Sequence, residues 1–246
     1  MSGHSKWSQI KRQKGAADVK RGALFSKLTV PIILAAKQGG GDPEANFTLK
    51  MAIERAKAAN MPKENIERAI DRGLGKAGGT QIEEILYEAI GPAGISIIIE
   101  AATDNKNRTA SEVKNILTKF GGKLIGSGAA TYQFARMGKL LIDLGGKDKE
   151  EIELIVIDSG AEDFEEQEDV LAVYTRPAEL ERIKKSLESQ GLTINEVVLS
   201  WEPKTIITLT DPTFSEKIID MMENLEELDD AVAVYSNFDI PKELIK

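Results

Sequence analysis

The hydrophobic period of the chain changes at GLGKAGG, residues 73–79. Before it, apolar residues recur at helical spacing, with Leu24, Leu28 and Ile32 at i, i+4 and i+8. After it, short β-branched runs alternate with amphipathic helical segments. Such a switch restricts the chain to a helical module followed by α+β modules, the glycine-rich stretch being a linker. GLGKAG also fits the spacing G-x-G-x-x-G, but it follows a helix rather than a strand and so lacks the context of a dinucleotide site.

Pro31 interrupts the first helical pattern and predicts a kink or break there, because it lacks an N–H and crowds the carbonyl of Lys27. GGGDP, residues 39–43, ends the segment, with Asp42 as the expected N-cap and Pro43 as the expected first residue of the next helix. That helix is expected to run to about Asn60 with Leu49, Ile53 and Ala56 inward. Pro62 is expected to open a third, with Ile66, Ala69 and Ile70 inward.

Beyond Gly79 the expected strands are 94–103, 130–134, 139–144, 169–175, 196–201, 205–210 and 231–236. The expected helices are 107–122, 150–160, 177–191 and 211–225. KLLIDL, a helix and DVLAVYT, residues 139–175, parallel TIITLT, a helix and DAVAVYS, residues 205–236, which reads as an internal repeat. Residues 138–202 supply a complete βαββαβ unit, whereas 80–134 and 205–240 each supply about half of one. The economical arrangement joins those halves around the middle unit. The expected fold is therefore α+β and multidomain. A three-helix domain (1–79) precedes two ferredoxin-like domains, one discontinuous (80–135 plus 204–246) and one inserted (136–203).

The chain carries a net charge of -8, unevenly spread. Residues 1–80 hold 15 Lys and Arg against 7 Asp and Glu, a net of +8; the remaining 17 bases and 33 acids give -16. A basic module on acidic domains is the footprint of a polyanion-binding protein. The basic charge is densest in residues 4–22, where Lys6, Lys11, Arg12, Lys14, Lys20 and Arg21 face only Asp18. On a helix, Trp7, Lys11, Lys14, Asp18 and Arg21 would share one face, cations beside an aromatic as nucleic acid requires. Gly15 weakens that helix. The bland alternative is a solvated terminus with Trp7 packed on the body.

The composition excludes several chemistries. There is no Cys and a single His, His4, so thiolate and His-cluster metal sites are ruled out within one chain. No P-loop sequence occurs. No apolar run reaches the roughly 18 residues of a membrane span, and the expected compartment is the cytoplasm. The acidic run EDFEEQED, residues 162–169, reads as a solvated loop or the guard of an edge strand.

HSKW (4–7), KRG (20–22), GGGDP (39–43), NMPKENIERAI (60–70), YEAIGP (87–92) and TDNKNRT (103–109) together resemble the YebC/PmpR family, over almost the whole chain. The resemblance implies a helical N-terminal domain, two α+β domains and a regulatory, non-enzymatic protein. Bacterial members are described as probable transcriptional regulators that bind DNA. Mitochondrial relatives activate translation, and some bacterial members are regarded as ribosome-associated factors that relieve stalling at prolines.

The expected function is thus a DNA-binding transcriptional regulator without catalytic residues, cofactor, metal or membrane partner. Its expected contacts are His4, Lys6, Trp7, Lys11, Arg12, Lys14, Lys20, Arg21 and Lys27, with Lys50, Lys57, Arg68, Lys106 and Arg108 as further phosphate contacts. The alternatives are a translation factor bound to ribosomal RNA and a protein–protein adaptor. Neither a helix-turn-helix pattern nor an RNP-type aromatic signature decides between DNA and RNA, and the oligomeric state is left open.

Overall fold

A computed structural model describes residue 7 and residues 21–76, 82–146, 148–167 and 170–241. The chain forms two compact units. One is Phe134–Lys204, and the other joins the described residues as far as Gln133 with those from Thr205 onward.

The larger unit opens with α1 (Arg21–Gly39), α2 (Phe47–Ala58) and α3 (Lys63–Gly73). The break expected at Pro31 does not occur; α1 runs through it. Proline in a helix interior costs about 3 kcal/mol. Against that, Ile32, Ile33, Ala35 and Ala36 are all buried in one core with Leu49, Ile53, Ile66 and Ala69. Each buried isoleucine contributes roughly 1.5–3 kcal/mol, so tertiary burial outweighs the local defect.

The start of α2 also differs from expectation. Its N-cap is Asn46, not Asp42, whose carboxylate instead accepts from the Glu44 N–H in a turn. Asn46 wins because it does more. Its Oδ1 accepts from the Leu49 N–H at 3.0 Å, while its Nδ2 donates to the carbonyls of Ala35 at 2.8 Å and Gly40 at 2.9 Å. One buried amide therefore caps α2 and fastens it to the end of α1. Gly39 makes room for it: a Cβ there would lie 2.6 Å from Asn46 Nδ2.

The sheet of this unit contains β1 (Glu83–Ile90), β2 (Ser96–Thr103), β3 (Lys123–Ile125) and β9 (Ala231–Ser236), in the order β3-β1-β2-β9, all antiparallel. Helices α4 (Lys106–Phe120) and α7 (Pro212–Glu227) join it, and Val113, Leu117, Ile218, Met221, Met222 and Leu225 share a core with Ile97 and Ile99. The central β2 is buried along nearly its whole length, as the run ISIIIEAA predicts. β1 was missed because Glu83, Glu84 and Glu88 break its apolar pattern. Glu88 is nevertheless buried. Its carboxylate accepts from the N–H groups of Gly128 and Ala130, both at 2.6 Å, and of Thr131 at 2.9 Å, so it is solvated by backbone rather than water. Desolvation pushes its pKa up, but those bonds together prevail and hold it below the ordinary 4.5.

The smaller unit is β4 (Phe134–Asp143), α5 (Lys149–Ser159), β5 (Asp163–Gln167), β6 (Val170–Thr175), α6 (Leu180–Ser189) and β7 (Ile194–Pro203). Its strands run antiparallel in the order β5-β6-β4-β7, the split βαβ arrangement. The acidic run supplies β5, an edge strand whose carboxylates discourage further pairing; residues 168 and 169 lie outside the described residues.

Three expectations need correction. The strand at 130–134 is a 3-10 turn over Thr131–Gln133, and β4 begins at Phe134. TIITLT forms only the two-residue β8 (Ile207–Thr208), which pairs with β10 (Phe238–Asp239) rather than with a four-stranded sheet. The apparent repeat therefore does not describe equivalent strands: β6 is an inner strand, whereas β9 is an edge. Both sequences are simply what a half-buried strand after a helix demands.

Replacing Asn46 by Ala should remove the cap and leave two carbonyls without their donor, a loss of about 2–4 kcal/mol. Asn46→Asp keeps only the acceptor and should fall between. Urea midpoints of the three proteins check this; equal midpoints would reject the assigned role.

Candidate nucleic-acid interface and the Asp230 network

Of the expected contacts in the first helical segment, His4, Lys6, Lys11, Arg12, Lys14 and Lys20 lie outside the described residues. Arg21 opens α1. Trp7 and Lys27 converge on one place. The Trp7 indole N–H donates to Glu226 Oε1 at 2.9 Å, and the Lys27 ammonium donates to the Glu226 carbonyl. Trp7 is only 2% exposed, and its ring centroid lies 6.2 Å from that of Phe238. The expected stacking role for Trp7 is thus corrected. Its large apolar area is buried in the core of the larger unit and its single donor is satisfied there. The pair fastens Trp7 and α1 to Glu226 of α7.

The helical cations are mostly engaged with their own surface. Lys50 pairs with Glu44 at 3.2 Å, and Arg68 donates to Asn65 Oδ1 and the Glu64 carbonyl. Lys57 is exposed on α2. Interleaved charge of this kind is a solvated helix face.

TDNKNRT forms a different structure from a phosphate cradle. Asn105 caps α4 by accepting from the Arg108 N–H. Lys106 meets Glu83 at 2.6 Å. Arg108 Nη2 donates to Asp230 Oδ2 at 2.8 Å and Oδ1 at 3.1 Å, and to Asp104 at 3.2 Å. The hydroxyls of Thr103 and Thr109 add bonds to Asp230 at 2.9 and 2.6 Å. Both cations expected to meet phosphate are therefore already matched by carboxylates. Desolvation pushes the Asp230 carboxyl up, but hydrogen bonds from Thr109, Arg108 and Thr103, with the charge of Arg108, outweigh it and hold it below 3.8. Asp230 itself, 121 to 127 residues distant from these partners in sequence, gave no signal in the chain's patterning; only the fold brings it here.

This network forms one wall of a cleft of about 760 Å³ that also takes in Val30, Arg72 and Ile82. Among the described residues its lining carries the carboxylates of Asp104, Glu112, Glu227, Asp229 and Asp230 and the guanidinium groups of Arg72 and Arg108. Among the described residues carboxylates outnumber cations there, which disfavours phosphate on those walls. Among the described residues no three His, Cys, Asp or Glu side chains gather to hold a metal ion, and no helix is long and apolar enough to cross a membrane.

The architecture defines an α+β protein whose described chain opens with three helices. Its relatives agree. The N-terminal domain of the TACO1/YebC protein matches residues 5–76, and the TACO1/YebC second and third domain matches 82–238. The chain belongs to the TACO1/YebC family. A "Probable transcriptional regulatory protein" of Halothermothrix orenii is 44% identical, covering 100% of this chain and 98% of its own. One of the same name from Moorella thermoacetica is 47% identical over 98% of this chain and 96% of its own. The crystal structure of a conserved hypothetical protein from Aquifex aeolicus superposes with a TM-score of 0.87 at 44% identity, covering 93% of this chain and 94% of that one.

Because the Asp230 pKa is depressed on folding, its stabilisation is present above pH 4 or so and is lost as pH falls through the depressed value. Asp230→Asn should lower the melting temperature at pH 7 by about 2–5 °C. The gap to the parent should begin to narrow below about pH 4, where the unfolded carboxyl takes up its proton, and close as pH falls through the depressed value of the folded one. A gap that stays constant between neutral and acid pH would show that ionisation of Asp230 is irrelevant.

Proposed function

We propose that this chain is a non-enzymatic, cytoplasmic regulator of transcription that binds duplex DNA through its basic N-terminal domain. One observation carries the reading: the segregation of charge, +8 over residues 1–80 against -16 over the remainder. Lys6, Lys11, Arg12, Lys14, Lys20 and Arg21 neutralise phosphates, and His4 adds a hydrogen bond. Trp7 and Lys27 anchor the module on α7 instead of touching the ligand. The smaller unit, rich in carboxylates, repels the same polyanion. The names of the relatives support regulation of transcription.

About six neutralised phosphates predict a roughly 10³-fold loss of affinity between 50 and 200 mM salt. Substituting Lys11, Arg12, Lys14, Lys20 and Arg21 together by Gln should flatten that dependence by about 4–5 in log-log slope. Fluorescence anisotropy with a labelled DNA duplex measures both. A labelled ribosomal RNA fragment, run in parallel, discriminates the second polyanion: tighter binding of RNA at every salt concentration would assign the protein to the ribosome. Binding of both probes undiminished in the variant would sink the N-terminal contact altogether.

A further inference from the structure

A second basic surface lies in the part of the chain that is otherwise acidic. Residues 113–142 contain no Asp or Glu, the longest acid-free stretch in a chain with 40 acids. It begins within α4 and carries Lys114, Lys119 and Lys123, all exposed. The fold adds a fourth lysine from a distant segment. Lys217 of α7 sets its Nζ over the turn that ends α4, 3.5 Å from where a Cβ on Gly121 would lie. Lys119 Nζ sits 5.0 Å above the Phe120 ring.

These lysines differ from many of their counterparts elsewhere, though among the described residues Lys57 on α2 and Lys37 on α1 likewise meet no carboxylate. Lys50, Lys63, Lys76, Lys106, Lys149 and Lys185 each meet a carboxylate. Among the described residues, Lys114, Lys119, Lys123 and Lys217 form no ion pair. Even Asp220, one turn along α7 from Lys217, is not paired with it. Gly121, exposed and at φ 83°, presents backbone without a side chain beside Lys217. Phe214, one turn before Lys217 on α7 and 45% exposed, places an aromatic surface beside the cations.

Lysines at a helix C-terminus also complement its dipole. That role needs one or two cations near α4. It does not account for Lys114, two turns back along α4, or for Lys123 on the following strand.

We infer that Lys114, Lys119, Lys123 and Lys217 form a second contact for the phosphodiester backbone of the same nucleic acid that the N-terminal domain binds. The inference rests on the nucleic-acid reading above. It implies that the larger unit holds its ligand at two places, one in the helical part of the chain before Lys76 and one beyond Ile82. Nothing base-specific is available in four lysines, so this contact adds affinity and fixes orientation without reading sequence.

The test uses the full chain and a labelled DNA duplex titrated across about 50–200 mM salt. The variant carries Lys→Gln at all four positions. A control carries Gln at Lys149, Arg176, Lys185 and Lys204, all in the smaller unit, which changes the net charge equally. The four-lysine variant should lose about 3–4 from the log-log salt slope and bind at least tenfold more weakly near 100 mM salt. The control should keep most of both, and the melting temperatures should match. A full parental slope in the variant, or an equal loss in the control, overturns the second contact while leaving the N-terminal one standing. A drop in melting temperature with unchanged binding assigns the lysines to the α4 dipole and likewise overturns it. A parent chain that fails to bind the duplex rejects both readings.

Discussion

The pairing of β2 with β9 is the constraint on which the larger unit depends. Ile97 lies opposite Ser236 and Ala101 opposite Ala231, 139 and 130 residues apart in the chain. Closing so long a loop is entropically unfavourable if the intervening chain is flexible. Here it is not. Within the smaller unit Phe134 pairs with Pro203, so the entrance and exit of that unit are antiparallel neighbours, about 5 Å apart at Cα. Once it has folded, the inserted unit behaves as a short connection between Gln133 and Thr205. The Asp230 network then fastens the returning segment. Thr103 and Thr109 on one side and Asp230 on the other are linked by hydroxyl–carboxylate bonds, and the Ala102 N–H donates to the Asp230 carbonyl at 2.9 Å.

Local patterning revealed the elements whose own residues decide their state. α4 and α5 both end at glycines in the left-handed region, Gly121 and Gly160, where the sequence places the stops. The buried β2 was equally legible as an unbroken apolar run. What the sequence concealed depends on partners remote in the chain. Pro31 stays helical because of residues in α2 and α3. Asn46 outcompetes Asp42 because the end of α1 supplies carbonyls for it. β1 carries a buried glutamate that only the loop 128–131 can satisfy. TIITLT looks like any strand, yet its pairing partner is a dipeptide near the end of the chain.

The candidate site was legible as charge and illegible as geometry. Counting bases located the cationic module, but counting cannot tell a free cation from a matched one. Lys106 and Arg108 have the composition of a phosphate site and the geometry of a structural clasp. Trp7 sits among lysines in sequence and among Met221, Phe238 and other core residues in space. Lys217 and Gly121 show the converse: two unremarked positions, nearly a hundred residues apart, that only folding makes adjacent.

The Glu88 carboxylate grips the chain between β3 and β4 almost entirely through peptide N–H groups. Such a hold is indifferent to most side chains it touches. Ser127 and Ala129 are exposed within that segment, so substitution there leaves the grip intact, whereas Ala130 is wholly enclosed and must stay small. Descendants of this chain are thus free to rewrite the text of the loop, but not its length. A residue gained or lost between Gly128 and Thr131 would move the amides out of phase with their acceptor and strand a negative charge in the interior.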